Sequence, residues 1–207
     1  MSPNPPTLLS SRFERALRWA AEGHRDQLRK GSGVAYLTHV VAVASALDRS
    51  GFTEDVVIAG LLHDLVEDTD ATLDEVRERF GPFVAELVGY CSEVKLDASG
   101  KKRPWEDRKR DHLAALANAP VEAKGIVLAD KLHNLLSIQI DLEEGREVWN
   151  LFNASRARVL GYYRASLTAC QGDDPRLSRL AGEALAILDS LDRPEMGSWE
   201  KTESSED

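Results

Sequence analysis

Apolar residues along most of this chain recur every three to four positions, and no segment alternates convincingly from one residue to the next. The chain therefore predicts helices and no sheet. Phe13, Leu17, Ala20 and His24 mark one face of a first helix from about Ser11 to Leu28, which the Gly31-Ser32-Gly33 stretch breaks. A second helix is expected from about Thr38 to Arg49, with Gly51 as its C-cap. Thr53 can cap a third, with Glu54 and Asp55 in its first turn, that continues to about Val66. Thr72 followed by Glu75 has the form of a capping box and opens a fourth helix, and Gly81-Pro82 separates it from a fifth that runs to about Val94. Further helices are expected over about Trp105 to Leu116, Val121 to Ile138, Arg146 to Ala169 and Pro175 to Leu191, with Pro120 placed at a helix start.

Composition narrows the class. At 207 residues with 43% hydrophobic and 29% charged content, the chain suits one globular domain. The expected layout is a disordered tail over 1–9, one all-α domain over 10–192 and a disordered acidic tail over 193–207. The second tail carries five acidic groups against Arg193 and Lys201. A net charge of -9 argues against a nucleic acid polymer or an anionic membrane as partner, and leaves room for an anionic small molecule. Cys91 and Cys170 are too few and too far apart for a disulfide framework. No leader or apolar run of roughly 18 residues is present, so the expected setting is cytoplasmic. The pattern specifies no oligomeric state.

Three pieces of the chain place imidazole and carboxylate groups where an ordinary core would carry Leu or Val: Tyr36 to His39, His63 to Asp68, and Leu128 to Asn134. An unpaired polar group in such a setting costs several kcal/mol in the worst case, and a metal ion compensates it most simply. His39, His63, Asp64 and Asp130 come from three helices and converge if those helices pack side by side. Nitrogen and carboxylate oxygen donors without thiolate suit a divalent ion such as manganese, iron or zinc. His63 with Glu67, Asp64 with Asp68, and Asp130 with Asn134 are each four apart, the spacing of one helix face. Three acids in the last turn of the third helix oppose its macrodipole, a local conflict of the kind found at functional sites.

A single histidine on an apolar face is ordinarily a hydrogen-bonded core residue, and a single aspartate a tether between helices. The combination carries the metal reading. On the same reasoning His112 is expected to be solvated, and Trp105, Trp149, Tyr162 and Tyr163 belong to the core. Tyr36 fits either role. Arg25, Arg29 and Lys30, or a second basic cluster from Lys95 to Arg110, can clamp phosphate if they face the ion, although a charge run is more often a solvated face.

These motifs resemble the HD superfamily of metal-dependent phosphohydrolases, a helical-bundle fold defined by a His, a His-Asp doublet and a distant Asp. Gln27 to Lys30, Tyr36 to His39, His63 to Thr69 and Leu128 to Leu135 together resemble the hydrolase domain of RelA/SpoT-type enzymes and their small stand-alone relatives. The resemblance spans about Phe13 to Tyr163. It implies removal of the 3′-pyrophosphate of ppGpp, usually with manganese, with iron, magnesium or zinc as alternatives. It also implies metal ligation by His39, His63, Asp64 and Asp130, and handling of the attacking water by Glu67 and Asp68, in an order it leaves open. Arg29, Lys30 and Asn134 would lie at the nucleotide. Val40 stands where the family commonly has Pro, and Leu65 where it commonly has Thr. No synthetase half is expected. Two further readings are an HD phosphohydrolase for another nucleotide or phosphate ester, and a non-catalytic nucleotide sensor.

Overall fold

A computed structural model describes residues 10–193. The expected tails, 1–9 and all of the acidic tail beyond Arg193, lie outside the described residues. Within them the fold is an all-α helical bundle. α1 is Ser11–Gly23, α2 Leu37–Arg49, α3 Glu54–Leu62, α4 Leu65–Asp68, α5 Leu73–Phe80 and α6 Pro82–Cys91. After these come α7 Trp105–Ala117, α8 Val121–Glu143, a 3-10 turn Val148–Leu151, α9 Arg156–Ala169 and α10 Pro175–Asp192. Two isolated bridges, Leu28 with Ala35 and Leu96 with Lys102, are the extended pairings among the described residues. None of these helices is long and apolar enough to cross a membrane.

α8 is the axis. It packs against α2, α3, α6, α9 and α10, and Ile126, Leu128 and Leu135 on it are fully buried. Ala123, Gly125, Val127 and Ala129 on it are buried as well, so Asp130 is set in a stretch enclosed by its neighbours. α2 and α3 lie against each other and against α8, which brings the three motif-bearing segments together.

Several helix ends follow the sequence. Thr72 accepts from the Glu75 N–H while the Glu75 side chain accepts from the Thr72 N–H, a complete capping box. Gly51, at φ +83°, takes the left-handed conformation directly after α2, and Pro82 occupies the first turn of α6.

Others differ, each for a local reason. α1 stops at Gly23 rather than near Leu28. His24 turns inward, its Nδ1 2.7 Å from Gln27 Oε1, and residues 27–36 double back so that the Tyr36 N–H reaches Gln27 O. The third helix ends at Leu62, with Asp64 at the head of the separate turn α4. The acids of this segment therefore do not stand at the end of one continuous dipole, and the His63/Glu67 pair straddles the break, whereas Asp64 and Asp68 share the α4 turn through the bond from the Asp68 N–H to Asp64 O. α6 ends at Cys91, because Glu93 leaves the helix to bond Glu67. No helix begins at Arg146: its guanidinium and its N–H both fold back to Asp141, Gly145 at φ +78° makes the turn, and α9 starts ten residues later.

Gly125 shows how closely α8 is seated. A Cβ added there would lie 2.4 Å from Phe52 Cζ, and the ring is itself buried. Gly125→Ala gains up to about 1 kcal/mol of helix propensity but forces the ring to move, at roughly 1–3 kcal/mol. The expected net result is a loss of stability, read as a lower urea midpoint at unchanged m-value.

Candidate metal centre and nucleotide cleft

His39 is presented by the first turns of α2, His63 by the end of α3, Asp64 by the head of α4 and Asp130 by the middle of α8. His39, His63 and Asp130 each offer a ligand atom, all within 4.8 Å of one another. Asp130 Oδ1 lies 3.2 Å from His39 Nε2 and 3.8 Å from His63 Nε2. Asp64 Oδ2 lies 3.1 Å from His63 Nε2 and 3.5 Å from His39 Nε2. Three of the sequence-predicted ligands, His39, His63 and Asp130, thus share one point, and Asp64 lies beside both imidazoles.

The surrounding groups orient them. His63 Nδ1 donates to Gly60 O at 2.7 Å, which fixes its tautomer and leaves Nε2 as the acceptor. That Nε2 is buried and has no hydrogen-bond partner among the described residues, although buried polar atoms are nearly always paired. An orphaned acceptor beside two carboxylates is the donor set of a cation, so these residues fit a divalent ion. His39 Nδ1 meets His133 Nδ1 at 2.8 Å. Tyr36 donates its hydroxyl to Asp64 Oδ2 at 2.6 Å, and Asn134 donates to Asp130 Oδ1 at 2.5 Å. Lys131 binds the other oxygen of Asp130, also at 2.5 Å. Ligands locked by a second layer of hydrogen bonds in this way are the usual construction of a metal site.

The electrostatics agree with the geometry. Burial opposes ionisation of Asp64, yet the His63 and His39 imidazoles hold its carboxyl well below the ordinary range. Burial likewise opposes ionisation of Asp130, and Lys131 and the same imidazoles lower it. Burial works against charge on His63, but Asp64 and Asp130 raise its proton affinity well above that of a free histidine. The two carboxylates thus draw positive charge to one spot. His133, pushed down to about 4 by burial and then by His39, is a neutral partner there.

The acids of α4 are held rather than free. Glu67 Oε2 accepts from the Glu93 N–H at 3.1 Å, and its Oε1 lies 3.2 Å from Lys95 Nζ. Lys95 also donates to Glu67 O and to Asp68 Oδ1, each at 2.9 Å, and Gln27 donates to Asp68 Oδ2 at 3.1 Å. Glu67 shares a cavity of about 240 Å³ with His63, Asp64 and Asp130, whereas Asp68 lines a neighbouring cleft of about 400 Å³. Tyr36, Asn134, Phe152 and Tyr163 border both. Arg29 and Lys30 also line the cleft. Arg29 donates to Asn134 Oδ1 at 2.7 Å and lies over the Tyr36 ring, while Lys30 is exposed.

The second basic cluster divides. Lys101, Lys102 and Arg110 are exposed, and Arg103 pairs with Asp111, so these form the solvated face. Arg108 and Lys109 both bind Glu93, and Lys109 borders the cavity. His112 corrects the sequence expectation: its side chain is buried, its Nδ1 lies 2.9 Å from the Tyr162 hydroxyl, and burial lowers it to about 4. Helix periodicity could not reveal this, because the polar side of α7 faces a polar cavity rather than solvent. Tyr162 and Tyr163 are buried as expected, and they line that cavity as well. Lys131 and His133 lie inside the Leu128 to Asn134 motif, whose spacing assigns neither of them a role. Lys95 carried no signal beyond its charge.

A bundle with this arrangement of His, His-Asp and Asp is the architecture of a metal-dependent phosphohydrolase. The chain belongs to the HD domain family, whose model matches residues 16–159. It is 40% identical over 142 residues to the guanosine-3′,5′-bis(diphosphate) 3′-pyrophosphohydrolase MESH1 of Drosophila melanogaster, covering 67% of this chain and 76% of that one. To the protein of the same description from Homo sapiens it is 41% identical over 160 residues, covering 76% and 82%. A solved structure described as a metazoan ortholog of SpoT that hydrolyzes ppGpp and plays a role in starvation responses superposes with a TM-score of 0.73 at 31% identity. That match covers 87% of this chain and 97% of the other.

Proposed function

We propose that this HD-domain enzyme is a manganese-dependent ppGpp 3′-pyrophosphohydrolase, converting ppGpp and water to GDP and pyrophosphate. The observation that carries the reading is the orphaned His63 Nε2 set among His39, Asp64 and Asp130, with Glu67 in the same cavity, in a chain about 40% identical to two pyrophosphohydrolases of that specificity. Mixed imidazole and carboxylate donors without thiolate support manganese, with iron, magnesium or zinc as the ions to test against it. Two free, buried thiols, Cys91 and Cys170, support a cytoplasmic setting.

A divalent ion held by these four residues supplies Lewis acidity, lowering the pKa of water from 15.7 toward about 7 and polarising a phosphoryl oxygen. The chain does the rest. Glu67, in the cavity of the ligands, accepts the proton of the attacking water, and Asp68, tied to Gln27, holds Lys95 against Glu67. Water adds to the phosphorus on O3′, the O3′–P bond breaks, and the returned proton leaves a 3′-hydroxyl on GDP. Arg29 and Lys30 hold the nucleotide in the cleft, and Asn134 orients both Arg29 and Asp130.

The test is incubation of metal-free protein with ppGpp and each of the four ions, with products separated by chromatography. GDP and pyrophosphate, formed without ATP and with manganese most effective, are the expected products. Arg29→Ala should raise KM more than it lowers kcat, since a guanidinium that only holds the nucleotide contributes uniform binding. Inorganic phosphate from nucleoside monophosphates, with ppGpp intact under every ion, would assign the protein to another phosphate ester.

A further inference from the structure

One face of α8 carries more polar residues than the reaction uses. Asp130, Asn134, Ser137 and Asp141 are spaced four, three and four apart. At 100° per residue eleven positions close to within about 20° of three full turns, so all four lie on one stripe of the helix. The first belongs to the metal centre. The other three line the cleft that continues from it, and Asp141 lies at the far end.

Asp141 is buried, which is unusual for an aspartate and calls for a reason. Its Oδ1 accepts from Arg146 Nη1 at 2.7 Å, and among the described residues no donor reaches Oδ2. A carboxylate offers about four lone-pair sites, so this pairing leaves most of its acceptor capacity unused. Oδ2 sits against the backbone of Gly31, where an added Cβ would lie 2.8 Å away. The loop carrying Arg29 and Lys30 therefore passes directly over it. The apolar part of the cleft is formed by Leu28, Ile138, Val148, Leu151, Phe152 and Tyr163.

We propose that Asp141 is the residue that reads the base, its carboxylate accepting from N1–H and from the exocyclic 2-amino group of guanine. The inference rests on the ppGpp reading and adds to it the group that sets base specificity. Guanine alone among the common purines presents two adjacent donors on this edge. Hypoxanthine keeps only N1–H, and adenine turns an acceptor toward the carboxylate. Eleven residues of helix separate Asp130 and Asp141 by about 16 Å. A nucleotide laid along α8 with its 3′-phosphate at the metal centre and its base among the apolar walls spans that interval, with one contact distance at each end.

The test is calorimetric titration of the manganese-loaded protein with GDP, IDP and ADP, which need no turnover. Wild type is expected to bind GDP about tenfold or more tighter than IDP, the usual effect of one hydrogen bond to a charged acceptor, and ADP weaker still. Asp141→Asn exchanges one acceptor for a donor and should erase the difference between GDP and IDP. Arg146→Met, which removes the ion pairs to Asp141 and Glu144 but keeps the carboxylate, should keep it. Equal affinities in wild type would overturn the inference without any variant. So would a preference that survives in Asp141→Asn, or one lost equally in Arg146→Met, which would make the pair structural. A GDP preference in a protein that leaves ppGpp intact would instead overturn the proposed reaction and leave the base reading standing.

Discussion

His63→Ala is expected to fold, to lose its divalent ion and to hydrolyse ppGpp at least roughly 10³-fold more slowly than wild type, since each Lewis-acid effect is worth several kcal/mol. The imidazole donates from Nδ1 to Gly60 O, and its Nε2, 3.1 Å from Asp64 Oδ2, has no hydrogen-bond partner among the described residues, so truncation removes a ligand and little else. Asp130→Ala should lose the ion as well, with a second consequence. It strips Lys131 of its carboxylate partner at a buried position, and breaking such a pair costs about 3–5 kcal/mol. Its melting temperature should therefore fall well below that of His63→Ala, although both lose the same ion. Elemental analysis of the two folded variants decides the ligand assignment, and wild-type metal content in His63→Ala would show that the histidine is not a ligand.

The different consequences expected of these two ligands mark what the sequence could and could not convey. That His39, His63, Asp64 and Asp130 would converge was legible, because each interrupts an apolar stretch and one shared ion compensates them all most simply. The break between His63 and Asp64 was not. Helical spacing runs unbroken from Val56 to Val66, and the chain leaves the helix only to bring Asp64 Oδ2 beside both imidazoles and under the Tyr36 hydroxyl, contacts made across the bundle. Charged residues were least legible. Lys95, Lys101, Lys109 and Arg110 belong to one basic run, yet the first binds Glu67 and Asp68, the third binds Glu93 at the cavity wall, and the other two are solvated. Their difference lies in which acid each meets after the turn at Glu93, and no local pattern encodes it. Asp141 sits on the same stripe of α8 as Asp130, but its burial depends on Gly31 and Arg146, which approach from opposite directions along the chain.

Glu67→Gln and Asp68→Asn should retain the ion and lose turnover, Glu67→Gln by roughly 10²-fold or more, the contribution typical of a general base. The amides keep the shape of the side chains. In Glu67→Gln the Oε2 bond to the Glu93 N–H can be kept by the amide oxygen, so a fall in kcat reports lost basicity rather than a displaced α4. The pH profile separates the two acids further. Burial raises the Glu67 carboxyl above its ordinary value, although the Glu93 N–H and Lys95 work the other way. A base acts only when deprotonated, so in wild type kcat should begin to fall, as the pH is lowered, at a higher pH than a free carboxylate would set. In Glu67→Gln that limb should vanish from the residual activity, whereas in Asp68→Asn it should remain. An unchanged acid limb in Glu67→Gln, or full turnover in both amides, would remove Glu67 from the chemistry and leave the proton to another group.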